Sequence, residues 1–219
     1  MAGMKRIVVI NTKGGCGKTT VSTNLASYYA AKGVSTALYD YDPQGSSMRW
    51  LKLRGDDMPD IYGVVAHKNS AKAVTMSWQL RLPAETQRLI IDTPPGLKGP
   101  DLKEQLKGAD KIIIPVLPSP LDIFATADFI RDLLLDVKVR LNQTGIGIIA
   151  NRVKKNTIAF QSLDRFLDSL NIPVVARLRD SQNYLRATQE GVGVHELKGK
   201  NVYLDKMHWK GVVEWLDKE

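Results

Sequence analysis

The sequence predicts a doubly wound α/β fold, a mostly parallel sheet with helices on both faces. Short apolar runs alternate with helical segments along the chain. Several runs are apolar at every position, as expected of strands that helices cover on both sides. A length of 219 residues suits one such domain and is too short for two, so we expect residues 1–219 to form a single domain.

The predicted elements follow one another in regular order. Apolar runs predict strands at 7–10, 36–39, 89–91, 112–116 and 146–150, and helical patterns cover 19–32, 124–141 and 157–170. The chain closes with a further helix whose apolar side would pack on the sheet: Trp209, Val212, Val213 and Leu216. For residues 58–87 the sequence pattern indicates no function. Because ligands bind at the carboxyl ends of the strands in such folds, the residues that follow strands are the candidates for a site.

A glycine-rich loop, Asn-Thr-Lys-Gly-Gly-Cys-Gly-Lys-Thr-Thr at 11–20, follows the first strand. Glycine removes Cβ atoms where the backbone must wrap a polyphosphate, and the next helix presents its positive N-terminus to the same anion. Lys18 would reach the β and γ phosphates, and the Thr19 hydroxyl would bind Mg²⁺. The loop therefore predicts a P-loop NTPase type of fold. Its expected nucleotide-binding residues are Gly14, Gly15, Cys16, Gly17, Lys18, Thr19 and Thr20.

Lys13 distinguishes this loop from the ordinary phosphate-binding pattern. It lies at the mouth of the loop, poorly placed for phosphates that Lys18 already holds, but able to reach a nucleotide on a second subunit. With K-G-G-x-G-K-T at 13–19, the chain resembles the deviant Walker A ATPases of the ParA/MinD family over nearly all of its length. That resemblance implies a homodimer that sandwiches two ATP molecules, with Lys13 catalytic across the interface. The alternatives are an ordinary monomeric P-loop kinase and a chance glycine-rich turn.

Acidic residues follow two further strands. Asp40 and Asp42 come after the second strand, on a turn that Pro43 and Gly45 favour. They resemble switch I of the family, which implies that Asp42 orients the attacking water and that Asp40 lies near Mg²⁺. Asp92 ends an apolar strand in the Walker B arrangement, with its carboxylate toward Mg²⁺. The Thr-Pro-Pro-Gly that follows it resembles switch II.

Further resemblances concern the base and the subunit interface. Asn151 ends a predicted strand where the family places an asparagine that contacts adenine. Arg177 or Asp180 would border the same base. The segment at 115–122 resembles the connection, in small ParA-type proteins, between a central strand and an interface helix.

Charge points to a polyanionic partner. The chain carries a net charge of +8, and the segment 138–186 holds nine basic and three acidic residues, a balance of +6. We expect it to bind double-stranded DNA without sequence preference. The residues expected to contact DNA are Arg152, Lys154, Lys155 and Arg186. A single cysteine, Cys16, excludes an internal disulfide and a cysteine-based zinc site, and fits a reducing cytosol.

These observations favour an ATPase with ATP and Mg²⁺ as cofactors that acts as a positioning switch, cytoplasmic and associated with the nucleoid. ATP would close a homodimer, the dimer would bind DNA, and an adaptor protein would stimulate slow hydrolysis; the cargo stays open. A MinD-like membrane-cycling ATPase is the alternative, but it needs a basic amphipathic C-terminal helix. Residues 207–219 hold two lysines against three acids, which disfavours a membrane partner. A metabolic or metal-insertion ATPase is opposed by the basic surface and the scattered histidines.

Overall fold

The computed structural model describes residues 3–67, 82–135 and 144–218. In these residues the chain alternates strands and helices in the predicted manner. The strands are β1 (Lys5–Val9), β2 (Thr36–Asp40), β3 (Tyr62–Val65), β4 (Arg88–Asp92), β5 (Lys111–Val116), β6 (Gly145–Val153) and β7 (Val174–Arg179). The helices are α1 (Lys18–Ala31), α2 (Ser46–Leu53), α3 (Gly99–Leu106), α4 (Pro120–Leu135), α5 (Ile158–Asp168), α6 (Gln182–Gln189) and α7 (Tyr203–Asp217).

The strands form one sheet in the order β3-β2-β4-β1-β5-β6-β7. Every pairing between neighbours is parallel. Strand β1 lies in the middle, where successive crossovers go first to one side and then to the other. The doubly wound α/β prediction is therefore confirmed, and the carboxyl end of β1 lies at the point where such folds bind ligands.

Alternate residues of the central strand face the two sides of the sheet. Ile7 and Val9 enter the core with α1, α2, α6 and α7, whereas Val8 and Ile10 enter the core with α3, α4 and α5. All four side chains are fully buried. Burial on both faces explains why the strand is apolar at every position, which is the pattern that predicted it.

Several elements differ from the sequence prediction. Strands β3 and β7 were not predicted, because β3 is a largely exposed edge strand and β7 is interrupted by Arg177 and Arg179. The short helices α2, α3 and α6 were also missed, since eight residues give too little periodicity to recognise. Helix α4 starts four residues earlier than predicted, and its predicted end at 136–141 lies outside the described residues.

Helix α7 runs along the sheet from the carboxyl edge to the amino edge. Near its start, Asp205 pairs with Arg179, the last residue of β7. At its other end, the carbonyl of Leu216 accepts a hydrogen bond from Lys5, the first residue of β1. Its apolar side packs into the core as predicted, with Trp209, Val212 and Leu216 fully buried.

Candidate functional site

The glycine loop joins β1 to α1 in a conformation that requires glycine. Gly15 has φ 76° and Gly17 has φ 96°, both in the left-handed region. At Gly17 an added Cβ would lie only 2.1 Å from Nδ2 of Asn151. Glycine at 17 is therefore needed for its backbone conformation and for the close approach of the end of β6.

Two lysines lie on the loop in different surroundings. Lys18 is the first residue of α1 and is almost fully buried, and its Nζ donates to the carbonyl of Lys13 at 3.0 Å. The side chain of Lys13 is half-buried and makes no hydrogen bond or ion pair with the described residues. The backbone of Lys13 is held by Asn11, which is itself anchored to the carbonyl of Pro115 on β5. The loop is thus fixed while the Lys13 ammonium stays available.

Asp40 and Asp92 lie side by side at the ends of β2 and β4, where they are partners in the strand register. Both carboxylates are buried. Burial raises the pKa of Asp92 to about 6, although hydrogen bonds from Ser47 and Thr19 act in the opposite direction. Burial also raises the pKa of Asp40 above its ordinary value. A divalent cation bound at these two buried carboxylates, which lie beside a lysine, would stabilise their charged form.

The donor set suits magnesium held largely by a nucleotide. The described residues contain no cluster of three or more His, Cys, Asp or Glu side chains of the kind that encloses a metal. Mg²⁺ commonly takes one or two carboxylates, phosphate oxygens and water. Asp40, Asp92 and the Thr19 hydroxyl offer oxygen ligands of this kind next to the glycine loop, so the residues present fit the ion.

Two serines that the sequence analysis did not identify surround Asp92. The hydroxyls of Ser22, on α1, and of Ser47, on α2, both donate to its carboxylate, the first at 3.3 Å. The backbone N–H of Met48 donates to Asp40 at 3.2 Å. The start of α2 is thereby attached to both carboxylates. Because α2 was not predicted, no feature of the sequence pointed to Ser47.

Asp42 occupies the turn between β2 and α2. It is half-buried, and its carboxylate accepts a hydrogen bond from the backbone of Gln44 at 2.9 Å. Its own N–H donates to Asp40 at 3.0 Å, which fixes the two acids relative to each other. The turn that Pro43 and Gly45 predicted is present, and Asp42 is the more accessible of its two carboxylates.

The loop after β4 packs on the glycine loop. The hydroxyl of Thr93 donates to the carbonyl of Val9 at 2.9 Å, and the N–H of Gly96 donates to the carbonyl of Thr12 at 2.9 Å. The segment that resembles switch II is therefore hydrogen-bonded both to the end of β1 and to the glycine loop. A conformational change in one of these loops would therefore be transmitted to the other.

A cavity of about 350 Å³ opens beside the glycine loop, between the end of β6 and α6. Asn151 and Asp180 line it, but Arg177 does not, because that side chain pairs with Asp164 on α5. The buried amide of Asn151 donates to the carbonyl of Cys16 at 2.9 Å. Asn151 therefore attaches the cavity wall to the glycine loop.

Cys16 points into the protein. Its thiol is fully buried, donates to the carbonyl of Lys13 at 3.3 Å, and has its pKa raised by burial. These features are those of a packed side chain in a tight loop.

The basic residues expected to contact DNA lie near the same edge, with acidic neighbours. Arg152 and Lys154 both lie 3.4 Å from the carboxylate of Asp180. Arg186 pairs with Glu190 at 2.8 Å along α6. Lys155 is exposed and has no ion pair within the described part of the chain. The basic residues at 138 and 140 lie outside that part.

Comparison with known proteins places these features in a family. The model of the CobQ/CobB/MinD/ParA nucleotide-binding domain matches residues 7–194. The chain is 29% identical over 192 residues to the maintenance of carboxysome distribution protein A of Halothiobacillus neapolitanus, covering 87% of each chain. It is 26% identical over 195 residues to the chromosome-partitioning ATPase Soj of Thermus thermophilus, covering 74% of this chain and 75% of Soj.

Solved structures have the same fold. The ATP complex of Cyanothece McdA superimposes with a TM-score of 0.71 at 18% identity, covering 97% of this chain and 98% of the other. The septum site-determining protein MinD of Pyrococcus horikoshii, complexed with Mg-ADP, gives a TM-score of 0.71 at 19% identity, covering 98% and 96%. At these identities the likeness concerns the fold, which agrees with the parallel sheet described above.

Proposed function

The chain belongs to the CobQ/CobB/MinD/ParA nucleotide-binding family, and from this premise we propose that it is an ATPase switch that dimerises on ATP and positions or segregates a cargo. Relatives named for carboxysome distribution and for chromosome partitioning support this class of function. The cargo would be a plasmid, a chromosomal locus or a protein assembly.

Lys13 is the observation that carries the proposal. Its backbone is fixed by Asn11, and its carbonyl holds Lys18, yet its own ammonium has no partner among the described residues. A lysine needed for the nucleotide of its own subunit would be expected to turn inward, as Lys18 does. The free ammonium at the loop mouth suits contact with a nucleotide on a second copy.

An apolar surface supports dimerisation. It lies next to the cavity of about 350 Å³ beside the glycine loop, which we call the nucleotide cavity. Leu121 and Phe124 on α4 are 71% and 68% exposed, and Ile158 at the start of α5 is 81% exposed. A groove between these helices, lined by Leu117 and Pro118, shares Arg152 and Asp180 with the wall of the nucleotide cavity. Large apolar side chains at this edge would be buried if two copies met through their nucleotide sites.

The roles of the site residues follow from their positions. The backbone N–H groups of the glycine loop and Lys18 would hold the phosphates, and Thr19, Asp40 and Asp92 would hold the magnesium ion. Bound magnesium would supply positive charge against the charge that develops on the phosphates. Asp42, fixed by the Gln44 N–H and partly accessible, would orient the attacking water. Asn151 would position the loop and border adenine.

DNA binding, the adaptor and a nucleoid location are further parts of the proposal. The net charge of +8 suits a polyanion, and Arg152, Lys154, Lys155 and Arg186 are the proposed contacts beside the nucleotide site. A dimer would double the number of phosphates that one particle contacts, so DNA binding would depend on ATP. Hydrolysis stimulated by an adaptor would then release the dimer.

The packing of α7 argues against a MinD-like membrane cycle. Trp209, Val212 and Leu216, which would have to enter a membrane, are fully buried against the sheet. Within the described residues no helix combines the length and apolar character needed to cross a bilayer.

The test is ATP-dependent dimerisation, measured by sedimentation velocity with a non-hydrolysable ATP analogue. Wild-type protein is expected to dimerise, whereas Lys13→Ala should bind nucleotide and stay monomeric. The matched control is Lys107→Ala, which removes an exposed lysine next to α3 at the amino edge of the sheet. This variant should dimerise normally. A normal dimer of Lys13→Ala would reject the role of Lys13 across the interface, and wild-type protein that stays monomeric with the analogue would return the chain to the monomeric P-loop ATPases.

A further inference from the structure

Lysines cluster around the start of α7, outside the segment whose charge the sequence analysis emphasised. We define the α7 surface by four lysines and three apolar residues: Lys198, Lys200, Lys206, Lys210, Tyr203, Leu204 and Met207. Three of the lysines are exposed and Lys206 is half-buried. Tyr203, Leu204 and Met207 are 64%, 54% and 46% exposed.

The positive charge of the α7 surface is not compensated locally. Glu196 and Asp205, the acids of the segment 196–210, have buried side chains that pair with Arg54 and Arg179. Within the described residues Lys198, Lys200 and Lys206 make no ion pair. Lys210 lies 3.6 Å from Glu214, but both side chains are at least 60% exposed, so that pair contributes little. By contrast, Arg152 and Lys154 share one aspartate.

The start of the α7 surface lies at the carboxyl edge of the sheet, the edge that holds the nucleotide site, whereas Lys210 lies beside the first half of β7. Asp205, in the middle of the cluster, bonds to Arg179 at the end of β7 and to Ser181 and Asn183 at the start of α6. Helix α6 is a wall of the nucleotide cavity. The carbonyl of Asn201, next to Lys200, accepts hydrogen bonds from Arg179 and Asn183, so the lysines ahead of α7 lie at the same edge of the sheet as the nucleotide site.

An anionic partner of extended shape fits this surface better than a lipid bilayer. An interfacial helix needs an apolar face along its length, but the long apolar side of α7 is buried against the sheet, and its exposed apolar residues, Tyr203, Leu204 and Met207, are confined to its start. The second half of the helix presents Glu214 and Asp217 to solvent, which anionic lipid would repel. Exposed lysines on the segment before α7 and on the helix itself suit contact with a phosphate backbone.

We propose that the α7 surface is a principal contact of this protein with the phosphate backbone of duplex DNA. The inference rests on the proposed DNA-binding function and specifies where the contact is made. Because the surface lies at the edge where two copies would be joined by ATP, dimerisation would bring two such surfaces onto one DNA segment. This arrangement would make DNA affinity depend on nucleotide.

The experiment measures binding to a random-sequence duplex by fluorescence anisotropy, with the non-hydrolysable ATP analogue, over a series of salt concentrations. The test variant replaces Lys198, Lys200, Lys206 and Lys210 by glutamine. The control variant replaces four exposed lysines elsewhere by glutamine, so that the net charge is the same: Lys52, Lys103, Lys107 and Lys218. A third variant removes Arg152, Lys154, Lys155 and Arg186. ATP-dependent dimerisation is checked for each.

The test variant is expected to dimerise but to bind DNA at least about tenfold more weakly at low salt. The slope of log affinity against log salt should become shallower by about 0.9 for each phosphate that the variant no longer neutralises. The control should stay within about twofold of wild type, because screened charges far from the DNA act weakly. If four substitutions impair folding, Lys198→Gln with Lys200→Gln, both ahead of α7, should still reduce the slope.

Three results would overturn the inference. Wild-type affinity in the test variant, with weaker binding only in the variant at 152–186, would place the contact there and leave the proposed function intact. Equally weakened binding in test and control variants would show a general charge effect. Absence of DNA binding by ATP-bound wild-type protein, or its binding instead to vesicles of phosphatidylcholine and phosphatidylserine, would reject the DNA-binding function as well.

Discussion

Replacing Asp92 by asparagine should make the protein more stable when no magnesium or nucleotide is present. The carboxylate is buried beside Asp40, and burial raises its pKa to about 6. An aspartate in an unfolded chain has a pKa near 3.9, so folding raises it by about two units, equivalent to about 3 kcal/mol at 25 °C. Asparagine has a similar shape and carries no charge. Its Oδ1 can accept one serine hydroxyl, and its NH₂ group can donate to the oxygen of the other.

The sign of the pH dependence follows from the raised pKa. A carboxyl that binds its proton more tightly in the folded protein stabilises the fold while it is protonated, below about pH 4. That contribution is lost as the pH rises through 6. The asparagine side chain of Asp92→Asn is neutral at every pH. The free energy of unfolding of the variant should therefore exceed that of wild type only slightly at about pH 4, by an increasing amount between about pH 4 and 6, and by about 3 kcal/mol above about pH 7.

Urea unfolding of both proteins at several pH values measures this difference, in buffer with EDTA. In thermal unfolding near pH 7.5, the melting temperature of Asp92→Asn should be higher than that of wild type by roughly 6–12 °C. With Mg²⁺ and ATP the order should reverse, because the variant loses an oxygen ligand with full charge. A difference that does not change with pH, or a less stable variant at about pH 7.5 in EDTA, would refute the reasoning.

Three further predictions concern single side chains. Asp42→Ala should bind ATP and accumulate as dimer but hydrolyse ATP at least about 100-fold more slowly; wild-type turnover in a phosphate-release assay would contradict its role. Gly17→Ala should abolish nucleotide binding in calorimetry, whereas Gly108→Ala, with φ 69° but open space around the added Cβ, should bind normally. Arg54→Met should destabilise the protein by about 3–5 kcal/mol in urea, because it leaves the buried carboxylate of Glu196 unpaired; a destabilisation below about 1 kcal/mol would show that the pair matters little.

The signals that predict the nucleotide site are local in sequence. The glycine loop, the two aspartates after β2 and Asp92 after β4 each follow a strand that is apolar throughout, and a parallel sheet brings such strand ends to one edge. The lysine at position 13 needed only its neighbours to be recognised. Length and alternation of elements were sufficient for the doubly wound fold.

The tertiary structure alone decided which charges are free and which polar groups surround the site. Arg54 meets Glu196 across 142 residues, and Arg179 meets Asp205 across 26, so both pairs span more than the roughly 11–18 residues over which a sequence pattern is read. Ser47 reaches Asp92 only because the short helix α2 folds back over β4. Long-range pairing of this kind depends on the packing of whole elements. For that reason the sequence alone predicts where phosphate and metal would bind, whereas the free positive surface on α7 emerged only in three dimensions.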